Sequence, residues 1–189
     1  MSESGWPTAD VSVRPAVAGD EHAVAAIQLA AWRAVHAGTL GAAALDLLDT
    51  ARIVERWREA ITAPPGPGYH VLVALDGPRL VGLASLAPVP AAPDADDQAP
   101  GGVILALEVL PEVQRGGHGS RLLAAAVDTL RADGADQVIT WVLDGDEARV
   151  RFLAGSGLGP DGAVRELAAG PGPDGDDLVV RERRWGAQI

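Results

Sequence analysis

The chain has 189 residues, a length that suits one domain able to bury a core without disulfides or structural metals. Its formal charge is −11, from 26 acidic residues against 15 lysines and arginines, which disfavours binding to nucleic acid or to an anionic membrane. The chain has no cysteine, which excludes disulfides, thiolate metal sites and a cysteine nucleophile, and its four histidines are too scattered to predict a metal site.

The first half of the chain predicts a strand, helical segments and a hairpin. Alternation of apolar and polar residues indicates the strand, and Asp20 is placed to cap the helix that follows. In chain order the elements are a strand over 11–17, a helix from Glu21 to about His36 that ends near Gly38, one helix or two short ones over 45–61, and a hairpin over 69–89 that turns at Asp76-Gly77-Pro78.

The second half predicts a polar loop followed by alternating strands and helices. In the run VILALEVLP, both sets of alternating positions, which face opposite sides of a strand, are mostly apolar. This is typical of a central strand covered on both faces. In order we expect a loop over 90–102, that strand over 103–110 stopped by Pro111, a helix from about Gly119 to Ala132 ended by Gly134, a strand over 137–143, a short helix within 146–158, and a last pair of strands, 164–168 and 178–185.

The stretch QRGGHGSRLL joins the central strand to the next helix. The first N–H groups of a helix lack internal partners and the helix dipole adds positive charge, so this junction suits an anion, above all a phosphate. No acid occurs from Val113 to Val127, while Arg115 and Arg121 flank the glycines. The stretch lacks the lysine that a P-loop requires. It also lacks the third glycine and the later acidic residue of a dinucleotide fingerprint. The alternative is that the glycines only permit a tight turn.

The longer segment LEVLPEVQRGGHGSRLL resembles the acetyl-CoA-binding segment of the GNAT superfamily of N-acetyltransferases. Val109 and Pro111 match the end of the family's strand, and Gln114, Gly117 and Gly119 match its glycine pattern. The segments RFLAGSGL and AAWRAVHAGTL resemble two further family motifs. The resemblance implies an α/β fold of the α+β type, with a mixed, mostly antiparallel sheet of six to seven strands flanked by about four helices.

The resemblance also implies acetyl-CoA as co-substrate. The backbone around Glu108 would pair with the pantetheine arm as an added strand, the glycine loop would hold the pyrophosphate, and the acetyl group would lie where the strand and QVITWVL splay apart. The implied cofactor-binding residues are Leu107, Val109, Gln114, Arg115, Gly116, Gly117, His118, Gly119, Ser120 and Asp146. For Asp146 the ordinary interpretation is a helix cap, and for His118 it is a side chain pointing to solvent. Arg149 and Arg151 are interpreted as solvated helix residues, and screening of the CoA phosphates is their alternative role.

Glu108 is the candidate general base. It should share a strand face with Ile104 and Ala106, and burial among apolar groups would raise the pKa of its carboxyl toward a useful range. The alternative is a carboxylate at the strand end that is solvated or paired with an arginine. The family's usual tyrosine acid is replaced by Leu153, so water, Tyr69 or another group would have to protonate the leaving thiolate.

Trp32 and His36 are the candidate substrate-binding residues, since the resemblance places the family's acceptor pocket there. Helical spacing favours core packing for both Trp32 and Trp57, and a surface position is the ordinary interpretation of His36. The predicted activity is transfer of an acetyl group from acetyl-CoA to a primary amine of a small molecule or peptide. Two alternatives are a noncatalytic acyl-CoA-binding or regulatory domain on the same fold, and a nucleotide-phosphate binder of another fold. We further expect one domain over residues 1–189, a cytoplasmic location, no metal, and no nucleic acid or membrane as partner. The sequence leaves open whether the chain forms a homodimer.

Overall fold

A computed structural model describes residues 11–40, 45–46, 48–89, 101–171 and 177–189, without the side chains of residues 36, 38–40, 169–171 and 177–178. The elements are β1 (Val11–Pro15), α1 (Glu21–Leu40), α2 (Thr50–Thr62), β2 (His70–Asp76), β3 (Arg79–Pro88), β4 (Gly101–Val109), a 3-10 turn (Pro111–Val113), α3 (His118–Ala132), β5 (Gln137–Leu143), α4 (Glu147–Gly155), β6 (Gly159–Pro171) and β7 (Asp177–Gln188).

The strands form one seven-stranded sheet in the order β1-β2-β3-β4-β5-β7-β6. Each neighbouring pair of these described strands is antiparallel except β4 and β5, which run parallel because α3 crosses between them. The mixed, mostly antiparallel sheet with flanking helices that the sequence predicts is confirmed. Among the helices of the described ranges, none has both the length and the apolar composition that crossing a bilayer requires.

The core lies between the sheet and the helices that cover it. α3 packs against β3 and β4, and α1 packs against α2 and the same two strands. Trp57 of α2 is buried, and its indole N–H donates to Gln28 Oε1 of α1 at 2.9 Å, which joins the two helices. The expectation that Trp57 belongs to the core is confirmed, while Trp32 is half-buried.

Several element boundaries differ from those expected. α1 continues to Leu40, past the glycine at which we expected it to end. β4 starts at Gly101 because its two glycines pair with Gln137 and Val138 of β5, so the ladder extends into the predicted loop. β6 and β7 are longer than the patterns indicated, because each supplies the other with hydrogen-bonding partners well beyond its apolar residues. Residues 90–100 of the predicted acidic loop lie outside the described residues.

The expectation that β4 is covered on both faces throughout is wrong at Leu105, which is 62% exposed. The register with β3 shifts here: Leu86 lies opposite Ile104, whereas Ser85 lies opposite Ala106, so Leu105 is the extra residue of a β-bulge. Because neighbouring residues of β3 point to opposite faces, Ile104 and Ala106 do so too. Glu108 therefore shares its face with Ala106 but not, as predicted, with Ile104.

Candidate active site

A cleft opens where the two parallel strands separate. β4 and β5 pair only from Gly101 to Ile104, opposite Gln137 to Thr140, and the rest of β4 leaves its neighbour. The cleft has a volume of about 430 Å³. Its lining residues are Val35, Leu107, Glu108, Val109, Gln114, Arg115, Gly117, Gly119, Ser120, Asp146, Ala148, Arg149, Arg151 and Phe152. The carboxyl end of β4, the start of α3 and the start of α4 thus meet around one space.

The glycine loop presents backbone N–H groups at the start of α3. Gly117 precedes the helix with a φ of 83°, in the left-handed region that glycine adopts without strain. The N–H of Arg121 donates to Gly117 O at 3.1 Å, and the three N–H groups before it precede the first intrahelical bond. The first turn carries no acidic side chain. With the helix dipole, these groups make a site for an anion such as a phosphate.

One interpretation of the sequence placed the His118 side chain in solvent, and the structure shows instead that it is buried. Its side chain is 5% exposed, and in the described part of the chain its Nδ1 atom has no hydrogen-bond partner. The ring packs beneath the loop: a Cβ added to Gly116 would lie 3.2 Å from the imidazole Cδ2 and 3.1 Å from Val113 O. Gly116 therefore provides room for the ring, and His118 can offer the cleft its backbone N–H but not its imidazole.

The edge of β4 that β5 leaves open carries the carbonyl groups of Leu107 and Val109. Two side chains cover them: Arg149 Nη2 donates to Leu107 O at 2.9 Å, and Gln114 Nε2 donates to Val109 O at 3.3 Å. Groups on an unpaired strand edge can accept an added strand or any ligand with amide groups at similar spacing. This edge is therefore a binding surface whose acceptors are held by side chains of the protein itself.

Glu108 is 11% exposed and lies beside Arg149, whose Nη2 atom is 3.1 Å from each carboxylate oxygen. Burial raises the pKa of the Glu108 carboxyl above its ordinary value, while the charge and hydrogen bonds of Arg149 lower it and the nearby Asp146 carboxylate raises it further. The sequence offered two environments for Glu108, burial that raises its pKa or pairing with an arginine. Both are present, and the burial dominates.

Asp146 caps α4. Its Oδ1 atom accepts from the backbone N–H of Arg149 at 3.0 Å, and its Oδ2 atom lies 3.6 Å from Arg149 Nε. The expected capping role is confirmed, and the same side chain also lines the cleft. One residue therefore fixes both the start of α4 and the stem of the arginine that reaches β4.

The described residues that line the cleft include more positive than negative side chains, although the chain as a whole is acidic. Arg115, Arg149 and Arg151 line it against only two acids, Glu108 and Asp146. In a molecule with a formal charge of −11, this is a local positive surface. It suits a ligand that carries phosphate groups.

The structure brings Glu108 and most of the predicted cofactor-binding residues together in one cleft. Among the described side chains that line it, Trp32, Gly116 and His118 do not appear, and the side chain of His36 lies outside the described part of the chain. Tyr69 is 36% exposed just before β2, and Leu153 is buried in the core. Three lining residues were not predicted: Val35, Ala148 and Phe152. Arg149 and Arg151 also line the cleft, where the sequence had placed them only as the alternative to solvated helix residues.

A sequence signal for Arg149 existed. Side chains on a helix tilt toward its amino terminus, and Arg149 is the third residue after the capping Asp146, at the carboxyl end of a strand next to β4. A first-turn arginine at that place faces the cleft more readily than solvent. The assignment of Arg149 as a solvated helix residue is therefore wrong, since its side chain is 21% exposed.

Comparison with known proteins gives one family and many similar structures. The model of the acetyltransferase (GNAT) family matches residues 22–158. No curated protein matches the chain. The similar structures share 20% sequence identity or less with it in the three cases below, so they bear on the fold alone.

The PaiA N-acetyltransferase of Thermoplasma acidophilum in complex with coenzyme A has 16% identity and a TM-score of 0.67, over 92% of this chain and 98% of that one. A ribosomal-protein-alanine N-acetyltransferase of Brucella melitensis has 20% identity and a TM-score of 0.65, over 94% and 99%. YncA, a putative acetyltransferase of Salmonella typhimurium with its cofactor acetyl-CoA, has 19% identity and a TM-score of 0.60, over 94% and 93%.

Proposed function

Because the chain belongs to the GNAT family of acetyltransferases, whose model matches residues 22–158, we propose that it transfers an acetyl group from acetyl-CoA to a primary amine of a small molecule or peptide. The observation that carries this proposal is the cleft between β4 and β5, where an anion site at the start of α3 adjoins an open strand edge and a buried carboxyl group. Membership in the family makes the protein a transferase. The donor-binding residues and the amine acceptor are the parts that we propose.

The residues of the cleft fit acetyl-CoA. The N–H groups at the start of α3, together with Arg115, would hold the pyrophosphate, and the edge of β4 at Leu107 and Val109 would pair with the amide groups of the pantetheine arm. Similar structures named above contain coenzyme A or acetyl-CoA, which supports the same donor here. When bound, the donor supplies an acetyl thioester that an amine can attack.

In the reaction, the unprotonated amine nitrogen bonds to the acetyl carbonyl carbon, the carbon–sulfur bond breaks, one proton leaves the nitrogen and one reaches the sulfur. Glu108 would receive the proton from nitrogen, directly or through a water. Burial raises the pKa of its carboxyl, which makes the carboxylate a stronger base than an exposed glutamate. Leu153 is buried and has no proton to donate, so water serves the sulfur in this proposal.

A second candidate function is a noncatalytic acyl-CoA-binding or regulatory domain. Two observations favour it: Leu153 stands where the family usually has a tyrosine, and Arg149 lies across the carbonyl of Leu107 in the cleft. Such a protein would bind the donor by the same loop and strand edge but release no thiol. The cytoplasmic location and the possible homodimer stay predictions.

The deciding experiment is an assay of thiol release from acetyl-CoA against amino acids, polyamines, aminoglycosides and peptides. We expect release that depends on at least one amine, with formation of the acetylated amine in equal amount. Binding of acetyl-CoA by calorimetry runs in parallel. Tight binding without release for every amine would favour the noncatalytic candidate, and no binding at all would contradict both.

A further inference from the structure

Arg149 makes three contacts that a solvated arginine would not make. Its Nη2 atom alone reaches three acceptors: Leu107 O at 2.9 Å and the two oxygens of Glu108 at 3.1 Å. The guanidinium therefore lies against the open edge of β4 and holds a backbone carbonyl and a buried carboxylate through the same nitrogen. Because one atom makes these contacts, moving it away from the carbonyl also moves it away from the carboxylate.

The start of α4 fixes this placement. Asp146 accepts from the backbone N–H of Arg149 at 3.0 Å and lies 3.6 Å from its Nε atom, so the cap holds both ends of the arginine stem. The partners are largely shielded from water, with Asp146 7% and Glu108 11% exposed. Hydrogen bonds between charged groups in such surroundings are stronger than exposed ones.

We propose that Arg149 is a latch on the open edge of β4, which closes the strand in the free protein and has to release Leu107 O before an acyl-CoA arm can pair there. The inference rests on the proposed function, because the arm is the ligand that competes for the carbonyl. The Arg149 guanidinium lies in the cleft against the edge that β5 leaves open, in the space that an arm pairing with Leu107 would occupy, so binding of the arm and closure of the latch compete for the same place.

The latch has a consequence for Glu108. Arg149 lowers the pKa of the Glu108 carboxyl against the larger effect of burial, and Asp146 raises it. Arg115 and Arg151 are the other charged side chains that line the described cleft. When Arg149 moves away, its lowering effect is lost and the pKa of Glu108 rises. Glu108 is thus paired while the cleft is empty and becomes a stronger base once the donor arm is in place.

The test compares two arginines of the same helix. Arg149→Met keeps the apolar stem and removes the donors, while Arg151→Met removes the same charge from an exposed residue of the cleft whose guanidinium pairs with Glu147 of its own helix. The affinity for coenzyme A is measured by calorimetry on the full chain, after thermal melting has shown that each variant folds. Arg149→Leu replaces Arg149→Met if the latter does not fold, since leucine also has no hydrogen-bond donor and is a good helix former.

We expect the dissociation constant of R149M for coenzyme A to be at least about threefold lower than that of the wild type, whereas R151M, which loses a charge of the cleft without freeing Leu107 O, should bind no tighter than the wild type. We also expect coenzyme A to raise the pKa of Glu108 in the wild-type protein, followed by the carbon-13 shift of its carboxyl group. Binding by R149M that is no tighter than that of the wild type, or a Glu108 pKa unchanged by coenzyme A, would overturn the latch.

The outcomes also separate the latch from the proposed function. If wild type and R151M bind coenzyme A and R149M binds no tighter, the latch fails and the proposed donor stands. If R149M binds coenzyme A and the wild type does not, the latch is supported, and in the wild type it holds the edge of β4 closed even when coenzyme A is present. If all three proteins fail to bind coenzyme A, the latch and the proposed donor fail together.

Discussion

At the scale of single residues, the cleft depends on a small set of polar groups around Glu108. The carboxyl is buried enough for desolvation to outweigh a neighbouring arginine, so its pKa is raised although it has a partner of opposite charge. In an exposed ion pair the carboxylate would stay hydrated, so the neighbouring arginine would lower the pKa of the carboxyl below its ordinary value. Burial therefore affects the pKa of Glu108 more than its contact with Arg149 does.

Replacement of Glu108 tests its role as base. In E108Q we expect kcat/KM to fall by about 10²–10⁴-fold, because glutamine has a similar shape but cannot accept the proton. The wild-type rate should rise with pH as the carboxyl ionises, with a midpoint above the ordinary glutamate value of 4.5, and E108Q should lack that rise. The rates are followed by thiol release with the best amine found.

Glu147→Gln is the matched control, since Glu147 is an acid of α4 whose side chain is 84% exposed. It removes the same charge from a nearby surface and should keep the pH dependence of the wild type. An E108Q protein with the rate and pH profile of E147Q would rule out Glu108 as the base.

At the scale of elements, α3 joins the core to the cleft. Its middle is held by buried leucines, and each of its ends has a glycine of positive φ: Gly117 with 83° before the helix and Gly134 with 89° after it. Both glycines give the backbone a left-handed conformation at an end of the helix. They differ in that Gly117 lines the cleft, whereas around Gly134 a Cβ would have no atom within 4 Å.

The pair allows backbone strain to be separated from ligand binding. Alanine at either position costs about 1–2 kcal/mol, the penalty for a left-handed residue with a side chain, so G117A and G134A should lose similar free energies of unfolding in urea. Only G117A should also weaken acetyl-CoA binding, by about tenfold, because the loop can no longer present its N–H groups in the same directions. Equal affinity of the two variants for acetyl-CoA would argue against the loop as the phosphate site.

At the scale of the whole molecule, the acidic chain carries a cleft with more arginines than acids. The excess of acid elsewhere repels anions at long range, whereas the arginines and the N–H groups of the loop attract them at short range. The sheet contributes the cleft itself, because β4 and β5, the parallel pair among the described strands, separate after Ile104 while the antiparallel pairs on either side hold the two strands in place.

A ligand that binds the folded chain alone should stabilise the whole domain. At about 100 times its dissociation constant, acetyl-CoA should add about 2.7 kcal/mol to the free energy of unfolding. For a chain of this length that corresponds to a rise in Tm of about 5–10 °C. ATP at the same concentration is the control in the thermal scan, and a shift with ATP equal to or larger than that with acetyl-CoA would favour the nucleotide-phosphate alternative.

The fold class was indicated by the family resemblance, and the positions of the loop and of most elements were indicated by the residue pattern. Apolar periodicity and the glycines around Gly117 are local properties, and local properties follow from neighbouring residues in the chain. The same patterns indicated Gly134 as the end of α3 and Trp57 as a core residue, both confirmed. The family motif, which spans a strand, a loop and a helix start, is also contiguous in sequence, and its match is confirmed.

The tertiary structure alone decided the details of the cleft. The bulge at Leu105 depends on the register between β3 and β4, which no local pattern of β4 reveals, and it separates Ile104 from the face of Glu108. Arg149 meets Glu108 across 41 residues of sequence, and the ring of His118 is buried against Gly116, where a side chain in place of the glycine would meet it. Such contacts depend on how distant elements pack, so the sequence indicated where an anion would bind, and only the packing determined which side chains close the strand beside it.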